Sequence, residues 1–393
     1  MRKALIVTTV SGFVPQFEMN NVHILQEMGY EVHYASNFHN PHYGFDNSRL
    51  NGTGIICHQV DFVRSPFQVG ANLKAYRQIK ELLQKNSFDL MHCHTPMGGV
   101  VGRLAAENLR RAQQRRQFYQ NREMQVVYTA HGFHFFHGAP LVNWMFYYPV
   151  ERWLAHYTDV LITINEEDYR QAVKFRLKRA ADQQGKVKKV NGVGICLENY
   201  KNLSFNRENK RTELGIPFDA YLFISAGELT KRKNHQIVLK ALASMRRECE
   251  LKKVRYLICG EGPERKRLAD YIHRNNLTGI VTLLGYRTDI REILAVSDCF
   301  VFPSKQEGLP VALLEAKAIG LPCICSNIRG NRELANTDEM VKVNQSKVYR
   351  EKLQKMINHK GHMKILQTDY SNYSEEMVMQ QMRQIYAENL KKR

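Results

Sequence analysis

The stretch Cys299-Phe300-Val301-Phe302-Pro303-Ser304-Lys305-Gln306-Glu307-Gly308-Leu309-Pro310-Val311-Ala312-Leu313-Leu314-Glu315 reads as a buried strand, a turn and a helix in direct succession. Four apolar residues, Cys299–Phe302, are followed by the turn pair Pro303-Ser304. Gly308 allows the backbone to approach a neighbour closely, and Pro310 suits the first turn of a helix predicted over Val311–Ile319. A helix that starts there offers unpaired N–H donors and the positive end of its dipole, a good seat for a diphosphate. Glu307 lies just before the helix, placed to accept hydrogen bonds from hydroxyl groups. Glu315, about one turn in, can accept from a ribose diol on the same face.

Working outward, the same alternation recurs on both sides. Upstream, strands are expected at Tyr221–Ala226, Arg255–Cys259 and Val281–Leu284, with helices at His235–Arg247, Glu264–Arg274 and Ile290–Ala295 between them; a strand at Pro322–Cys325 follows the quoted stretch. A first series has strands at Lys3–Thr9, Glu31–Ser36, Leu90–His94, Val126–Thr129 and Val160–Thr163, with helices at Phe17–Met28, Leu73–Lys85 and Val100–Arg116. Apolar strands separated by helices imply a parallel sheet covered on both faces, hence an α/β doubly wound fold. The pattern stops near Lys188–Gly194, and the polar stretch Asn199–Arg211 reads as an interdomain linker. The expected division is 1–198, 199–370 and a final segment 371–393, whose helix is Ser374–Leu390, with Ser374 as its cap and Glu375 and Glu376 in its first turn.

Composition narrows the class. A chain of 393 residues exceeds what one core usually organises. The apolar share of 44% fills two cores and excludes a disordered or fibrous protein. The opening MRKALIVTTVSGF is too short in its apolar run for a signal peptide, and no run spans a bilayer. Eight scattered cysteines without a C-x-x-C pair fit a reducing cytoplasm. His92-Cys93-His94 looks metal-like, but strand alternation sends the two histidines to one face and Cys93 to the other. The formal charge of +19 is spread: residues 1–200 carry 23 basic against 16 acidic residues, and the remainder 34 against 22. This favours an anionic partner, a nucleotide or the negative face of a membrane. Nucleic acid is not expected, because basic residues interleaved with stacking aromatics are missing.

Other pieces now fall into order. Gly227-Glu228-Leu229-Thr230-Lys231-Arg232-Lys233-Asn234, Gly260-Glu261-Gly262-Pro263, Leu284-Gly285-Tyr286-Arg287 and the Glu307–Glu315 stretch together resemble the family-4 retaining glycosyltransferases of the GT-B fold. The resemblance covers nearly the whole chain, and its sharpest part is E-x(7)-E, formed by Glu307 and Glu315. It implies two Rossmann-like domains facing a central cleft, with the C-terminal helix returning to the first domain. It implies a nucleoside diphosphate sugar as donor, UDP-sugar foremost, no cofactor and no metal. Lys233 takes the position of the lysine that contacts the diphosphate, Glu307 orients the sugar and Glu315 the ribose. Arg232, Gly262, Tyr286, Arg287, Gly308, Leu309, Pro310 and Val311 complete the donor site, the Tyr286–Arg287 loop pairing with the base through its backbone. Ser326, Gly330 and Glu333 stand where the family has a small-residue strand end, a glycine loop and an acid. One departure stands out: Glu228 replaces the family's usual arginine, and Arg232 or Lys231 is left to supply that charge.

In the first domain, the Thr8–Val14 loop with Gly12 would face the donor phosphate, and His131, after the strand Val126–Thr129, would lie near the transferred sugar. Cys93–Gly99, Thr129–His134 and Gly227–Asn234 are most similar to bacterial capsular and exopolysaccharide enzymes. That likeness implies a glycan acceptor, polyprenyl-diphosphate-linked, and work at the inner face of the cell membrane. Pro140–Tyr157, with Trp144, Phe146, Tyr147, Tyr148 and Trp153, reads as an aromatic core helix or as a membrane-facing one. The basic stretches Asn108–Arg122 and Arg170–Lys189 read as solvated faces or as an attraction to anionic lipid. The alternatives to a glycosyltransferase are a nucleotide-sugar epimerase of the same fold and a non-catalytic nucleotide-binding protein. Gly260–Gly262 does not make a dinucleotide site, because Arg265 stands where G-x-G-x-x-G needs its third glycine.

Overall fold

The structure, a computed structural model, describes residues 1–41, 47–115, 124–177, 179–180, 183–201, 203, 205–248, 251–358 and 369–390. Residues 116–122 of the basic stretch Asn108–Arg122, and 178 and 181–182 of Arg170–Lys189, lie outside them, as does Cys249. The chain divides into two compact units, Met1–Gly194 with Glu376–Arg393, and Ile195–Glu375.

The first unit holds strands β1 (Arg2–Val7), β2 (Tyr30–Ser36), β3 (Ile56–Gln59), β4 (Leu90–His94), β5 (Gln125–Ala130), β6 (Val160–Thr163) and β7 (Lys186–Lys189). All are parallel, in the order β3-β2-β1-β4-β5-β6-β7. Alternation along β1 explains why the strand reads as a continuous apolar run. Leu5 and Val7 enter one core cluster, whereas Ala4 and Ile6 enter the cluster on the opposite face. Val378, Met382, Ile385 and Tyr386 of the helix Glu375–Leu390 belong to that second cluster, so the C-terminal helix is part of the first unit.

In the second unit β8 (Tyr221–Ala226), β9 (Val254–Cys259), β10 (Val281–Gly285), β11 (Cys299–Phe302), β12 (Cys323–Ser326) and β13 (Met340–Val341) run parallel in the order β10-β9-β8-β11-β12-β13. Again both faces are filled: Phe223 and Val301 on one side, Leu222, Ile224, Phe300 and Phe302 on the other. Each sheet reverses its winding next to its first strand, between β1 and β4 and between β8 and β11. Such switch points, at the carboxyl ends of the strands, are where open α/β sheets bind ligands.

Three expectations need correction. Phe17–Met28 is not one helix: Phe13–Phe17 and Met19–Glu27 are separate, and Glu18 sits at the break with φ −128° and ψ 10°. The polar stretch Asn199–Arg211 is not a loose linker, because Arg211 is buried and donates to Asp298 Oδ2 at 2.8 Å and to the carbonyl oxygens of Val296, Phe218 and Ala220. Its charge makes the sequence look solvated, whereas Val296 and Asp298, more than eighty residues on, hold Arg211 inside the unit. The Pro140–Tyr157 stretch is apolar on two faces of the helix Leu141–Ala155: Trp144, Tyr147 and Tyr148 pack on the core, while Leu141, Val142, Met145, Phe146, Val150 and Trp153 are exposed. Among the described residues no helix is long and apolar enough to cross a membrane.

Candidate active site

In the second unit the loops after β8 and β11 meet at the switch point. The first loop is shaped by glycines. Gly227, Gly260 and Gly262 have φ of 145°, 142° and 156°, a region side chains avoid. A Cβ on Gly260 would lie 2.0 Å from the Gly227 carbonyl oxygen, and one on Gly262 would lie 2.5 Å from that of Leu229. The backbone bonds Gly227 N–H to Cys259 O and Leu229 N–H to Glu261 O lock the two loops together. Gly262 therefore serves loop packing and supports the site from behind.

This packing delivers Lys233 and Arg232 to Glu307. Lys233 Nζ lies 2.8 Å and Arg232 Nη1 3.0 Å from the same oxygen, Glu307 Oε1, which also accepts from Ser304 Oγ at 2.7 Å. Arg232 Nη1 further donates to Gln306 O, and Lys233 Nζ stands 4.8 Å from the centre of the Phe302 ring. Burial pushes the Glu307 carboxyl up, but Lys233 and Arg232 outweigh it and hold the group below its ordinary range. Arg329 Nε donates to the Glu307 carbonyl at 3.0 Å, and Gly330 has no room for a Cβ, since one would stand 2.6 Å from the Gly308 oxygen. Pro310 is the N-cap of the helix Val311–Ala318, and no side chain caps that end. Leu309 and Val311 lean on the core beside it.

Glu315 is half-buried one turn into this helix and accepts from Tyr200 Oη at 2.8 Å. Burial raises its carboxyl above the ordinary value. Glu228, the departure from the family pattern, points out to solvent. Arg232 stands in the cluster in its stead, beside Lys233. Tyr286 is exposed, and the Arg287 side chain is engaged with Asp289 and Glu213, so its guanidinium is committed to an ion-pair network that also holds Lys210.

The corresponding place in the first unit holds a different cluster. His94 ends β4, His131 follows β5, and Glu18 comes from the helix break after β1. His94 Nδ1 and His131 Nε2 are 3.1 Å apart, and Glu18 Oε1 lies 3.4 Å from the first and 3.5 Å from the second. The His131 ring meets Phe13 edge-on at 5.0 Å. Burial raises the Glu18 carboxyl to about 8 and lowers His131 to about 4 and His94 well below its usual value. His92 is spoken for, bonded to Tyr386 Oη and Thr129 Oγ1. Cys93 faces the opposite core, where a Cβ on Gly102 would touch its sulfur. Gly12 caps the Phe13–Phe17 helix with φ −69° and donates its N–H to Pro41 O. Glu18 and His131 line a narrow pocket with Asn20, Asn21, Thr129 and Met382.

Three donor atoms so close could surround a small cation. However, a metal-bound histidine almost always donates its other N–H to an acceptor, and the buried His94 Nε2 has no hydrogen-bond partner among the described residues. The cluster reads better as a hydrogen-bonded group. Sequence reasoning missed Glu18 and His94 as members because their pairing spans residues far apart in the chain, and Tyr200, 115 residues from Glu315, for the same reason; Ser304, three residues from Glu307, was read only as part of a turn.

The chain matches the family profile of glycosyl transferases group 1 over residues 206–377 and that of glycosyl transferase 4-like proteins over residues 4–165. It is 32% identical over 359 residues to EpsD of Bacillus subtilis (strain 168), a protein named for glycosyltransferase activity, covering 90% of this chain and 87% of that one. Identity is 30% over 296 residues with the UDP-Gal:alpha-D-GlcNAc-diphosphoundecaprenol alpha-1,3-galactosyltransferase of Escherichia coli, covering 75% of this chain and 70% of the other. Among solved structures, Anabaena HepE in complex with UDP-glucose superposes with a TM-score of 0.71 at 16% identity over 99% of this chain and 100% of that one. Sucrose-phosphate synthase from Thermosynechococcus elongatus gives 0.73 at 16% identity, with both chains fully covered. These two establish the fold, two Rossmann-like α/β domains of the GT-B type.

Proposed function

The chain belongs to the group 1 glycosyl transferases, and from that premise we propose that it moves a sugar from UDP to a lipid-linked glycan with retention of anomeric configuration. It is a glycosyltransferase, and its relatives include glycosyltransferases named for O-antigen and colanic acid biosynthesis. The observation that carries the finer reading is the pair of cations on Glu307 Oε1 at the start of an uncapped helix.

When the bond from sugar to diphosphate breaks, negative charge builds on the leaving group. Lys233, Arg232 and the N–H groups that open the helix Val311–Ala318 stabilise that charge through fixed dipoles and cations already in place. Glu307, held ionised by the same cations, accepts from sugar hydroxyls; Glu315 accepts from the ribose. The backbone of the Tyr286–Arg287 loop meets the base, and His131 meets a sugar hydroxyl. The chemistry asks for no cofactor and no metal, since protein cations take the electrostatic role.

The acceptor is a polyprenyl-diphosphate-linked glycan, the class named for the Escherichia coli relative. The exposed face Leu141, Val142, Met145, Phe146, Val150 and Trp153, together with the charge of +19, supports peripheral contact with the anionic inner face of the cell membrane.

A panel of UDP-sugars incubated with undecaprenyl-diphosphate-linked acceptor, with the product anomer read by NMR, tests the reaction. Retention with UDP release is the expected result; conversion of the donor without acceptor would replace transfer by epimerisation. Flotation with vesicles of neutral and anionic lipid tests the membrane contact, and indifference to lipid charge removes it.

A further inference from the structure

We propose that His94 is a positioning residue that holds His131 in the tautomer with its proton on Nδ1, so that His131 presents a hydrogen-bond donor to the pocket. The proposal rests on the reading of His131 as a sugar-contacting residue. It adds which atom makes that contact and what fixes it.

His94 is fully buried, and its Nε2 has no hydrogen-bond partner among the described residues. A buried N–H without an acceptor is among the rarest features of folded proteins, and an unused lone pair is more readily tolerated. The neutral ring carries one proton, so that proton belongs on Nδ1 and leaves a bare lone pair at Nε2. Nδ1–H then donates to His131 Nε2, 3.1 Å away. His131 Nε2 must accept, and its own proton moves to Nδ1.

Two further contacts hold this arrangement. Glu18 Oε1, 3.4 Å from His94 Nδ1 and 3.5 Å from His131 Nε2, flanks the bond, while Asn21 Nδ2 donates to Glu18 Oε2. The edge-on packing of His131 against Phe13 fixes the ring plane. His131 is 23% exposed in its side chain and lines the pocket, and with Nε2 bonded to His94 the ring nitrogen left for a ligand is Nδ1. The group so formed is a donor aimed at a hydroxyl or phosphoryl oxygen and not a base.

The test is long-range nitrogen–proton correlation NMR on ligand-free protein with nitrogen-labelled histidine, His131 being assigned by its loss in His131→Ala. The expected wild-type spectrum has His131 protonated at Nδ1 and bare at Nε2, in excess of about tenfold over the other tautomer, the ratio that one net hydrogen bond supports. In His94→Leu the two His131 tautomers should mix, and His94→Gln, whose amide N–H can donate again, should restore the Nδ1–H form. A wild-type spectrum with the proton on Nε2 would overturn the proposal, as would an unchanged His131 in His94→Leu. Zinc retained at one ion per chain after dialysis, seen by elemental analysis, would also overturn it. If His94→Leu does not fold, the wild-type and His94→Gln spectra decide alone. The spectra need no substrate, so they are independent of the functional reading. Undiminished sugar transfer by His131→Ala would remove His131 from the reaction while leaving its tautomer as measured.

Discussion

The two switch points are built on the same plan and filled with opposite chemistry. In each unit the loop after the first strand reaches the end of the strand that follows the reversal: Glu18 meets His94 in one, and Lys233 meets Glu307 in the other. In the second unit a buried carboxylate keeps its charge because two cations share one of its oxygens. In the first, among the described residues, the buried carboxyl of Glu18 has only imidazoles for basic neighbours, and desolvation leaves all three groups neutral. One cluster carries fixed charges, the other uncharged hydrogen-bonding groups. Equivalent backbone positions do not fix the electrostatics; the identity of two or three side chains does.

The comparison predicts its largest effect at Lys233. Lys233→Ala should cut UDP release in the acceptor assay by about a hundredfold to a thousandfold, the range for losing one charge-stabilising donor. Circular dichroism should show the fold intact, and near-normal turnover would break the contrast. The next effect is in stability and belongs to the first unit. The Glu18 carboxyl is raised to about 8, so between its ordinary value near 4.5 and pH 8 the native state holds a proton that the unfolded chain has released. Stability from this group is complete below the lower value and is lost as pH rises through the upper one. From pH 6.5 to 8.5 the wild-type protein should lose about 2 kcal/mol relative to Glu18→Gln in denaturant unfolding. His92, His94 and His131, all depressed by burial, act in the opposite sense and cost stability as pH falls toward and below about 6.5, in the wild type and in Glu18→Gln alike.

Smaller effects sharpen the picture. Arg232→Ala should lower turnover by about tenfold, less than Lys233→Ala, because Arg232 is 42% exposed and solvent screens it. Glu228→Ala should change donor affinity by about twofold or less in titration calorimetry with UDP, since that side chain points into solvent. A large gain instead would mean that Glu228 opposes the diphosphate and that Arg232 does not make good the family's missing arginine.

Much of this was legible in the chain. Apolar runs such as Tyr221–Ala226 and Cys299–Phe302 announced strands buried on both faces, because a sheet covered on both sides needs no alternation. Less regular elements escaped: Ile56–Gln59 is mostly exposed, and Lys186–Lys189 is too basic to look like a strand, although both pair in register. The helix Ser346–Asn358 was missed although Tyr349, Leu353 and Met356 recur at helical spacing and are buried.

By itself the sequence determined the two sheets, the helix that opens after Pro310, and the candidacy of Glu307, Glu315 and Lys233, because strand period, helix starts and a compact motif are local properties of the chain. Only the tertiary structure decided that Arg232 joins Lys233 on one oxygen of Glu307, that Glu18 breaks a helix to reach His94 and His131, and that the helix Leu141–Ala155 leaves an apolar face uncovered. Those outcomes depend on distance and burial between residues far apart in the chain, and charge or hydrogen bonding acquires its strength only once water has been removed from between them.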